Sequence, residues 1–425
     1  MNKHIHFIGI LGSGISGVAN LASEVGYKVT GCDMEAASAY TTTGEKVFLG
    51  HDTKHIKDAD LVVVSPAVLY QNFDNPEIAE ARRRKILITW QEFLGRTLLK
   101  QKKVICIAGT HGKSTTTAMA GQLLEALKFD PLVVVGALIP EWKSNVRFGK
   151  GEFAVIEADE FNDNFLNYSP EIVILNNVEF DHPDYFKNEQ EVFASFKKFI
   201  ESLSGDAILI TNSNSFGISK LLGLIDRKIN VIDIKDLDVD LKLKIPGRHN
   251  IENAKGVYAL GLYLGIKSSD IKHVISGFSG IGRRMELIAS KKGIEVYDDY
   301  AHHPTAIAAT IQAIRESHPK ARIWAIDEPH GFARTKALLN KYRGVFEKAD
   351  RVIIGPIFVA RDRETFGMSP RAVAEASGYP KAIGVDSYDA IEKILSKEIR
   401  QGDVILVMGA GKSYLWTRKI AKLIK

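Results

Sequence analysis

Residues 104–120, VICIAGTHGKSTTTAMA, decide how the fold of this chain is interpreted. An apolar run predicts a strand that enters a turn at residues 109–112, after which Lys113 and Ser114 begin a helix. In a phosphate-binding loop of this order, backbone N–H groups cradle phosphate, the lysine neutralises its oxygens and the hydroxyl reaches Mg²⁺. The common pattern is G-x-x-x-x-G-K-[ST], yet the position of its first glycine is Ile107. The segment is therefore a damaged phosphate loop, a chance match to the pattern, or a phosphate loop of a shorter design.

The composition is that of a soluble globular protein with several domains. The 425 residues are 45% hydrophobic and 25% charged, and at roughly 100–200 residues per domain they predict about three domains. The formal net charge is only +5 and there is no basic block, so no nucleic-acid partner is expected. Glycines interrupt the apolar N-terminal run, and no segment approaches the roughly 18 apolar residues of a membrane span.

Two cysteines, Cys32 and Cys106, lie in or beside apolar runs that predict strands. Neither has neighbours at metal-ligand spacing, so we predict buried small side chains rather than a metal site. Dependence on a disulfide is not expected, which fits a reducing cytoplasm.

Strand-then-helix alternation recurs in three segments and predicts an α/β fold. Short apolar runs such as KVTGCD (28–33), PEIVILNN (170–177) and DVILVMGAGK (403–412) are bounded by turns and separated by helical periodicity. This pattern favours a mostly parallel sheet in each segment, with ligands at the carboxyl ends of the strands. The polar residues of all three segments cluster at those ends.

The first segment carries a glycine pattern directly after a predicted strand. Gly12-x-Gly14-x-x-Gly17 matches a dinucleotide fingerprint, in which backbone N–H groups approach a pyrophosphate at a helix N-terminus. Asp33, at the end of the next strand, is placed to bind a ribose. The pattern predicts a nucleotide-diphosphate ligand but does not distinguish a nicotinamide cofactor from a UDP-sugar.

Acidic, amide and imidazole side chains follow two strands of the second segment. They are Glu157, Asp159, Glu160, Asn176, Asn177, Asp181 and His182. Such groups beside a phosphate loop are suited to hold a Mg²⁺ ion that bridges phosphate oxygens. Buried strands rarely end in acids without a cation to pair with them.

Two further polar groups stand at predicted element ends. In GRHNIENA, Asn250 is a candidate ligand group and equally an ordinary N-cap of the helix that follows. In YDDYAHHP and DEPHGFART, three histidines and an arginine fall in adjacent turns after strands. They are His302, His303, His330 and Arg334. Their combination favours a site for an anion or an amino acid.

In this order the motifs resemble those of the Mur ligase family over nearly the whole chain. The matching stretches are GxGxxG, GTHGKSTTT, EADE, NNVEFDH, HNIENA, GRRME, DDYAHHPT and PHGFART. The family uses a short loop, GTxGK[ST], so Ile107 is a strand residue and the loop is of the shorter design. The resemblance implies three domains: 1–100 for a UDP-sugar, 101–283 for Mg-ATP and 284–425 for the amino acid.

The resemblance also implies a role for individual residues. For the UDP-sugar and the amino acid these are Gly12, Ser13, Gly14, Asp33, Ser65, Pro66, His302, His330 and Arg334. For ATP they are Gly109, Thr110, His111, Gly112, Lys113, Ser114, Thr115, Asn250, Asn253 and Arg284. For Mg²⁺ they are Ser114, Glu157 and His182. For catalysis they are Lys113, His182, Asp298, His303 and Arg334.

The implied reaction forms an amide bond in peptidoglycan precursor synthesis. The lactyl carboxylate of UDP-N-acetylmuramate attacks the γ-phosphate of ATP, and the amine of an amino acid then displaces phosphate from the acyl phosphate. A histidine, His182 or His303, is the expected base. A nicotinamide-dependent dehydrogenase would leave the phosphate loop unexplained. A non-catalytic UDP-sugar-binding protein would not be expected to keep Lys113 and Glu157.

L-Alanine is the expected amino acid, with a recycled L-alanyl-γ-D-glutamyl-meso-diaminopimelate tripeptide as the alternative. The L-alanine-adding members tend to read PHRYSRT where this chain reads PHGFART, so Gly331 replaces an arginine and Arg334 is left to hold a carboxylate. Other motifs also resemble the tripeptide-adding member. Lys197 lies where some members carry a carbamoylated lysine, or it is a solvated helix lysine. The sequence leaves monomer and homodimer open.

Overall fold

The computed structural model describes residues 3–35, 46–71, 74–360 and 362–424, in which three α/β sheets follow one another along the chain. The predicted α/β class, with three sheet-based segments, is confirmed. Within these ranges, no helix combines the length and the apolar character needed to cross a membrane.

The described residues pack into two compact units. The first contains the first two sheets and the second contains the third sheet. The second unit also includes two segments that precede the third sheet in the chain, Glu179–Val192 and Val239–Lys255. Residues that follow a strand of the second sheet are thereby brought to the third.

The first sheet is parallel throughout, with strand order β3-β2-β1-β4-β5. Its strands are β1 (His4–Ile8), β2 (Lys28–Asp33), β3 (Lys46–Leu49), β4 (Leu61–Val64) and β5 (Leu87–Thr89). The helices of this segment are α1 (Ser13–Glu24), α2 (Pro66–Gln71), α3 (Pro76–Arg83) and α4 (Trp90–Phe93). β1 is buried at every position because it lies in the middle of the sheet.

The second sheet has strand order β12-β11-β10-β6-β9-β7-β8 and is parallel except for the edge pair β7–β8. Its strands are β6 (Lys103–Ala108), β7 (Leu132–Ile139), β8 (Ser144–Arg147), β9 (Phe153–Glu157), β10 (Ile172–Leu175), β11 (Ile208–Thr211) and β12 (Asn230–Asp233). The helices of this segment are α5 (Lys113–Ala126), α6 (Glu189–Glu201), α7 (Ile218–Leu224), α8 (Arg248–Tyr263) and α9 (Ser268–Gly277).

The third sheet has strand order β13-β14-β18-β15-β16-β17 and is parallel except for the edge pair β13–β14. Its strands are β13 (Glu286–Lys291), β14 (Ile294–Asp299), β15 (Arg322–Glu328), β16 (Arg351–Ile354), β17 (Ala382–Gly384) and β18 (Asp403–Gly409). Its helices are α10 (Pro304–Ser317), α11 (Phe332–Leu338), α12 (Pro370–Ala376), α13 (Tyr388–Glu398) and α14 (Ser413–Leu423).

Helices cover both faces of the third sheet, so its central strand is apolar on both sides. On β18, Leu406 packs in one core with Ile311 of α10, whereas Ile405 packs in the opposite core with Ile420 of α14. A strand buried on both faces appears in the sequence as a continuous apolar run. This is why DVILVMG predicts β18 correctly.

The edge strands β8 and β13 were not predicted from the sequence. Their sequences, SNVR and ELIASK, lack a continuous apolar run, because an edge strand is only partly buried and carries polar residues. Both pair antiparallel with their neighbours and therefore close one side of an otherwise parallel sheet.

Candidate active site

The phosphate loop has the predicted strand, turn and helix geometry. β6 ends at Ala108, and α5 begins at Lys113 after Gly112, whose φ of 82° lies in the left-handed region. Gly109 has a φ of 129°, and a Cβ on it would lie 3.0 Å from the carbonyl oxygen of Asn177. Both glycines are therefore needed for the turn, which presents the N-terminus of a 14-residue helix as an anion site.

Two asparagines that follow β10 hold this loop. Asn177 accepts the His111 N–H on Oδ1 at 2.9 Å and the Thr110 N–H on its carbonyl at 3.2 Å. The Asn176 side chain donates to the His111 carbonyl at 3.1 Å and to Thr116 Oγ1 at 3.2 Å. The two amides predicted near the metal site thus support the loop backbone.

The Lys113 side chain lies against the loop and two acids. Its Nζ donates to the Gly109 carbonyl at 2.7 Å and to Glu160 Oε2 at 2.6 Å, and it lies 3.9 Å from Asp159 Oδ1. Burial lowers the pKa of Lys113, but Glu160 and Asp159 outweigh burial and the pKa is raised. The ammonium group therefore keeps its charge where a transferred phosphate would need it.

Ser114 and Glu157 form an oxygen pair beside the loop that fits Mg²⁺. Ser114 Oγ donates to Glu157 Oε1 at 2.9 Å, and the Gly136 N–H donates to Glu157 Oε2 at 2.5 Å. Adjacent oxygens of an octahedral Mg²⁺ shell also lie roughly 2.9 Å apart. A Cβ on Gly136 would lie 2.9 Å from Glu157 Oε1, so a glycine is needed to admit this carboxylate. The third predicted metal ligand, His182, belongs to the second unit.

In the second unit Arg334 forms a buried bidentate ion pair with Asp181. Arg334 Nε donates to Asp181 Oδ1 at 2.7 Å, and the Nη2 atom donates to Oδ2 at 3.0 Å. Arg334 Nη1 also donates to the His302 carbonyl at 2.7 Å. Both side chains are at most 7% exposed. Arg334 was predicted to hold a substrate carboxylate, whereas its fork here faces a carboxylate of the protein.

Histidines 302 and 303 differ in which ring nitrogen is available. His303 Nδ1 accepts the Thr305 N–H at 3.3 Å as the N-cap of α10, and Nε2 lies 3.2 Å from the Phe180 carbonyl. A carbonyl can only accept, so Nε2 carries a proton, and the Thr305 N–H engages the Nδ1 lone pair. His303, predicted as a possible base, is poorly suited to that role.

His302 leaves its Nε2 atom unprotonated, but its surroundings make the ring a weak base. Its Nδ1 lies 2.8 Å from the Tyr300 carbonyl and therefore carries the proton. Burial, followed by the charges of Arg334 and His330, holds the pKa of His302 well below its usual value. The neutral ring therefore has its lone pair on Nε2. The His330 ring lies 5.4 Å from it and stacks on Phe358.

Asp298, predicted as catalytic, pairs with an arginine that the sequence analysis did not single out. Arg283 Nε donates to Asp298 Oδ2 at 3.3 Å, and Arg283 Nη2 donates to the Gly409 carbonyl at 2.6 Å. Arg284, predicted to contact ATP, has its guanidinium 4.8 Å from the Tyr300 ring centre. The pair of arginines in GRRME was the available signal, but the sequence does not tell which of the two turns toward the sheet.

Three acids at the ends of β14 and β15 have raised pKa values. Burial raises the pKa of Asp298 to about 6, of Asp327 to about 8 and of Glu328 to about 7. Glu328 accepts the backbone N–H groups of Lys412 and Ser413, both at 3.1 Å, at the start of α14. Asp327 and Glu328 stand at a strand end in the DEPH motif but were not predicted as site residues.

The glycine motif of the first sheet is used partly for packing. A Cβ on Gly14 would lie 2.7 Å from the Trp90 ring, and one on Gly17 would lie 2.1 Å from Val146. Asp33 Oδ2 accepts the Leu11 N–H of the glycine turn at 3.0 Å. Two of the three glycines are therefore explained by close contacts, and Asp33 holds the turn itself.

The remaining predicted residues are placed as follows. Ser13 begins α1 and Pro66 begins α2, with the Ser65 N–H donating to the Ile8 carbonyl at 3.1 Å.

The N-cap alternative for Asn250 is wrong, because its side-chain amide donates to the Pro246 carbonyl at 2.6 Å inside the first turn of α8. An N-cap side chain would instead accept an N–H.

Two further residues that the sequence analysis named are Asn253 and Lys197. Asn253 is buried on α8 at 6% exposure. Lys197 lies on α6, donates to Asp226 and is 3.7 Å from Glu201. The hydrogen bond to Asp226 raises the pKa of Lys197. Carbamoylation requires a neutral amine, so the structure favours an ion-paired lysine over a carbamoylated one.

The chain is similar to known proteins over its whole length. Three family models match: "Mur ligase family, catalytic domain" over residues 4–102, "Mur ligase middle domain" over 107–224 and "Mur ligase, glutamate ligase domain" over 283–411. The UDP-N-acetylmuramate–L-alanine ligase of Desulforapulum autotrophicum is 33% identical over 97% of both chains. That of Caldicellulosiruptor bescii is 34% identical over 97% of this chain and 96% of its own.

A solved structure extends this similarity to the fold. The UDP-N-acetylmuramate–alanine ligase MurC of Thermotoga maritima superposes with a TM-score of 0.79 at 26% identity, and 99% of this chain and 98% of that chain are covered. All three sheets therefore have counterparts in one solved protein.

Proposed function

The chain belongs to the Mur ligase family, and we propose that it joins L-alanine to the lactyl carboxylate of UDP-N-acetylmuramate while ATP is cleaved to ADP and phosphate. The observation that carries the proposal is the short phosphate loop, in which Lys113 and Ser114 each contact an acid that follows or ends β9. The relatives that match nearly the whole chain at 33–34% identity are L-alanine ligases.

ATP would be bound by the loop and the N-terminus of α5. Backbone N–H groups of the turn would surround the phosphates, and the Lys113 ammonium would stabilise the charge that develops on the transferred group. Ser114 and Glu157 would hold Mg²⁺, with His182 proposed as a further ligand. Bound Mg²⁺ supplies charge neutralisation between phosphate oxygens. We assign Asn250, Asn253 and Arg284 to the nucleotide on family resemblance alone.

The two chemical steps place different demands on the chain. In the first, a carboxylate oxygen of UDP-N-acetylmuramate bonds to the γ-phosphorus and the bond to ADP breaks, so repulsion between two anions must be offset near Lys113. In the second, the amine of L-alanine attacks the acyl carbon and phosphate leaves. The incoming ammonium must first lose a proton, and we propose that a histidine of the site accepts it.

Each of the three matched segments would bind a different substrate of the reaction. We propose that residues 1–100 bind the UDP-sugar through the glycine turn, Asp33, Ser65 and Pro66, and that 101–283 bind Mg-ATP. Residues 284–425 would present the amino acid through His302 and His330, while Arg334 is held by Asp181. A cytoplasmic location is supported by the two free cysteines of the described chain.

The test is ADP formation with UDP-N-acetylmuramate and a panel of acceptors: L-alanine, glycine, L-serine and the tripeptide. We expect L-alanine to give the highest kcat/KM. Lys113→Ala should lower kcat by about 100- to 1000-fold, the loss typical of one preorganised charge-stabilising group. Lys198→Ala, which removes an exposed lysine on α6, is the matched control and should leave kcat unchanged. Activity with the tripeptide alone, or a fully active Lys113→Ala variant, would contradict the proposal.

A further inference from the structure

The first sheet contains a buried cluster of metal-binding side chains that the proposed reaction does not use. It consists of His6 on β1, Cys32 on β2, His51 after β3, His55 in the following 3-10 turn, and Glu77 in the first turn of α3. One donor atom from each of His6, Cys32, His55 and Glu77 lies within 4.8 Å of all the others. Four side chains of four separate elements thus converge on one point.

The Glu77 carboxylate lies at the centre of this cluster and is fully buried. His51 Nδ1 lies 2.8 Å from Glu77 Oε2, His55 Nδ1 lies 2.8 Å from Oε1, and the Cys32 thiol donates to Oε2 at 2.9 Å. The partners of a buried carboxylate are usually cationic side chains or backbone N–H groups. Here they are imidazoles and a thiol, which are the side chains that bind divalent transition metals.

His6 provides an independent observation that points to a ligand. Its ring is fully buried, and its Nε2 makes no hydrogen bond; the nearest acceptor, Glu77 Oε1, is 3.6 Å away. A buried polar nitrogen without a partner is destabilising, and native structures rarely leave one.

Hydrogen bonds behind His6 determine where its lone pair points. His4 Nδ1 lies 3.0 Å from the Asp58 carbonyl, which can only accept, so we place the His4 ring proton on Nδ1 and its lone pair on Nε2, 2.8 Å from Thr30 Oγ1. The Thr30 hydroxyl then donates to His4 and accepts from His6 Nδ1 at 2.9 Å. The His6 proton is therefore on Nδ1, and the lone pair on Nε2 faces the cluster. Metal-binding histidines are held in this way by a partner on the other nitrogen.

We propose that His6, Cys32, His55 and Glu77 bind one divalent transition-metal ion of the Zn²⁺ class, with His51 hydrogen-bonded to the carboxylate. Two nitrogens, one sulfur and one oxygen form a four-ligand set of the kind that Zn²⁺ prefers. In a tetrahedral site with the usual bond lengths, donor atoms lie roughly 3.3–3.7 Å apart. The 3.6 Å between His6 Nε2 and Glu77 Oε1 matches this spacing, and the shorter contacts of His55 and Cys32 with Glu77 are hydrogen bonds that the metal replaces. Binding releases the thiol proton of Cys32 to solvent, and the His55 ring, bound through Nδ1, carries its proton on Nε2.

The ion would join β1, β2, the turn after β3 and α3, and it would act on the glycine turn through β2. The carbonyl of Cys32 accepts the Gly9 and Ile10 N–H groups at 2.9 and 3.2 Å, and the neighbouring Asp33 accepts the Leu11 N–H. A metal that fixes the Cys32 side chain thereby fixes the backbone that supports this turn. The site is structural and does not depend on the proposed reaction.

The experiment uses Co²⁺ as a spectroscopic substitute for Zn²⁺ on the full-length, metal-stripped protein. A thiolate ligand gives a near-ultraviolet charge-transfer band that histidine and carboxylate ligands do not give. We expect one equivalent of Co²⁺ with this band, its loss on adding Zn²⁺, and one equivalent of zinc by elemental analysis. Cys32→Ser should lose the band and bind Co²⁺ at least about tenfold more weakly.

The chain offers a matched control in its second cysteine. Cys106 is also free and fully buried, on β6 of the second sheet, and Cys106→Ser should keep the band and the stoichiometry. His55→Gln, at a half-buried position, should weaken Co²⁺ binding about tenfold or more while far-ultraviolet circular dichroism stays unchanged. The proposal is overturned if the wild-type protein shows no thiolate band at stoichiometric Co²⁺, or if the band survives Cys32→Ser.

Discussion

Removal of the Arg334 guanidinium should destabilise the second unit severely. The guanidinium donates twice to Asp181, at 2.7 and 3.0 Å, and both side chains are at most 7% exposed. Arg334→Ala leaves a buried carboxylate without its counter-charge, and breaking a buried ion pair in this way costs about 3–5 kcal/mol. We expect a loss of this size in the free energy of opening, measured by amide hydrogen exchange on peptides from β14 and β15.

A double-mutant cycle isolates the coupling energy of the Arg334–Asp181 pair from the other effects of each substitution. Asp181→Ala alone should be similarly destabilising, but the double variant should cost about 2–3 kcal/mol less than the sum, because neither charge is then left unpaired. Arg351 and Glu398 provide the control in the same unit. Their atoms are also 2.7 Å apart, but both side chains are more than a third exposed. The same cycle on that pair should give a coupling of about 0–1 kcal/mol.

The pH dependence of the coupling gives a second measurement. Burial raises the pKa of Asp181, but Arg334 and then His182 outweigh burial and hold it well below the usual value. A depressed pKa contributes stability above the unfolded value, near 3.9, that is lost as pH falls through the folded value. The coupling should therefore be equal at pH 8 and pH 5. A coupling below about 1 kcal/mol, or one that disappears between pH 7 and pH 5, would refute the buried-pair argument and leave Arg334 available to a substrate carboxylate.

Four other outcomes follow from the site and its surroundings. Glu157→Gln and Ser114→Ala should each raise the Mg²⁺ concentration needed for half-maximal ADP formation, and an unchanged requirement in both would remove them from the metal site. Gly331→Arg should lower the thermal unfolding midpoint by the equivalent of about 1–3 kcal/mol. The reason is that Gly331 has a φ of 75° and that a Cβ there would lie 3.2 Å from Asp362 Oδ2. An unaffected midpoint would show that the turn accepts a side chain. Because the pKa of Asp327 is about 8, the free energy of unfolding should fall as pH rises from about 4 to 8. Asp327→Asn should reduce this dependence of stability on pH, measured in unfolding scans at pH 5 and pH 8. An equal dependence in both proteins would show that Asp327 is ionised in the folded chain. Lys197→Arg should keep full activity, which a required carbamate would not allow.

The phosphate loop could be predicted because its information is local. Glycines, lysine and serine follow one another within a few residues, and each contributes through its own backbone conformation or its position in the first helical turn. The central strands were predicted for a related reason, since burial on both faces leaves a continuous apolar run such as that of β18. Ser114 and Glu157 were expected near each other because parallel strands place their carboxyl ends at one edge of the sheet.

The sequence did not determine which distant side chains meet. Asp181 and Arg334 are 153 positions apart, and Cys32 and Glu77 are 45 apart, so neither contact has a spacing that periodicity can reveal. Cys32 was predicted to have no metal-binding neighbours, yet strand pairing in the first sheet and the position of α3 surround it with histidines and Glu77. Arg283 is a further example, because its contacts with Asp298 and with the Gly409 carbonyl distinguish it from Arg284. These contacts depend on the packing of β14 and β18. Periodicity records which face of an element is buried, whereas a contact also requires strand order, register and the path of the connecting loops, and these are set by the packing of the whole unit.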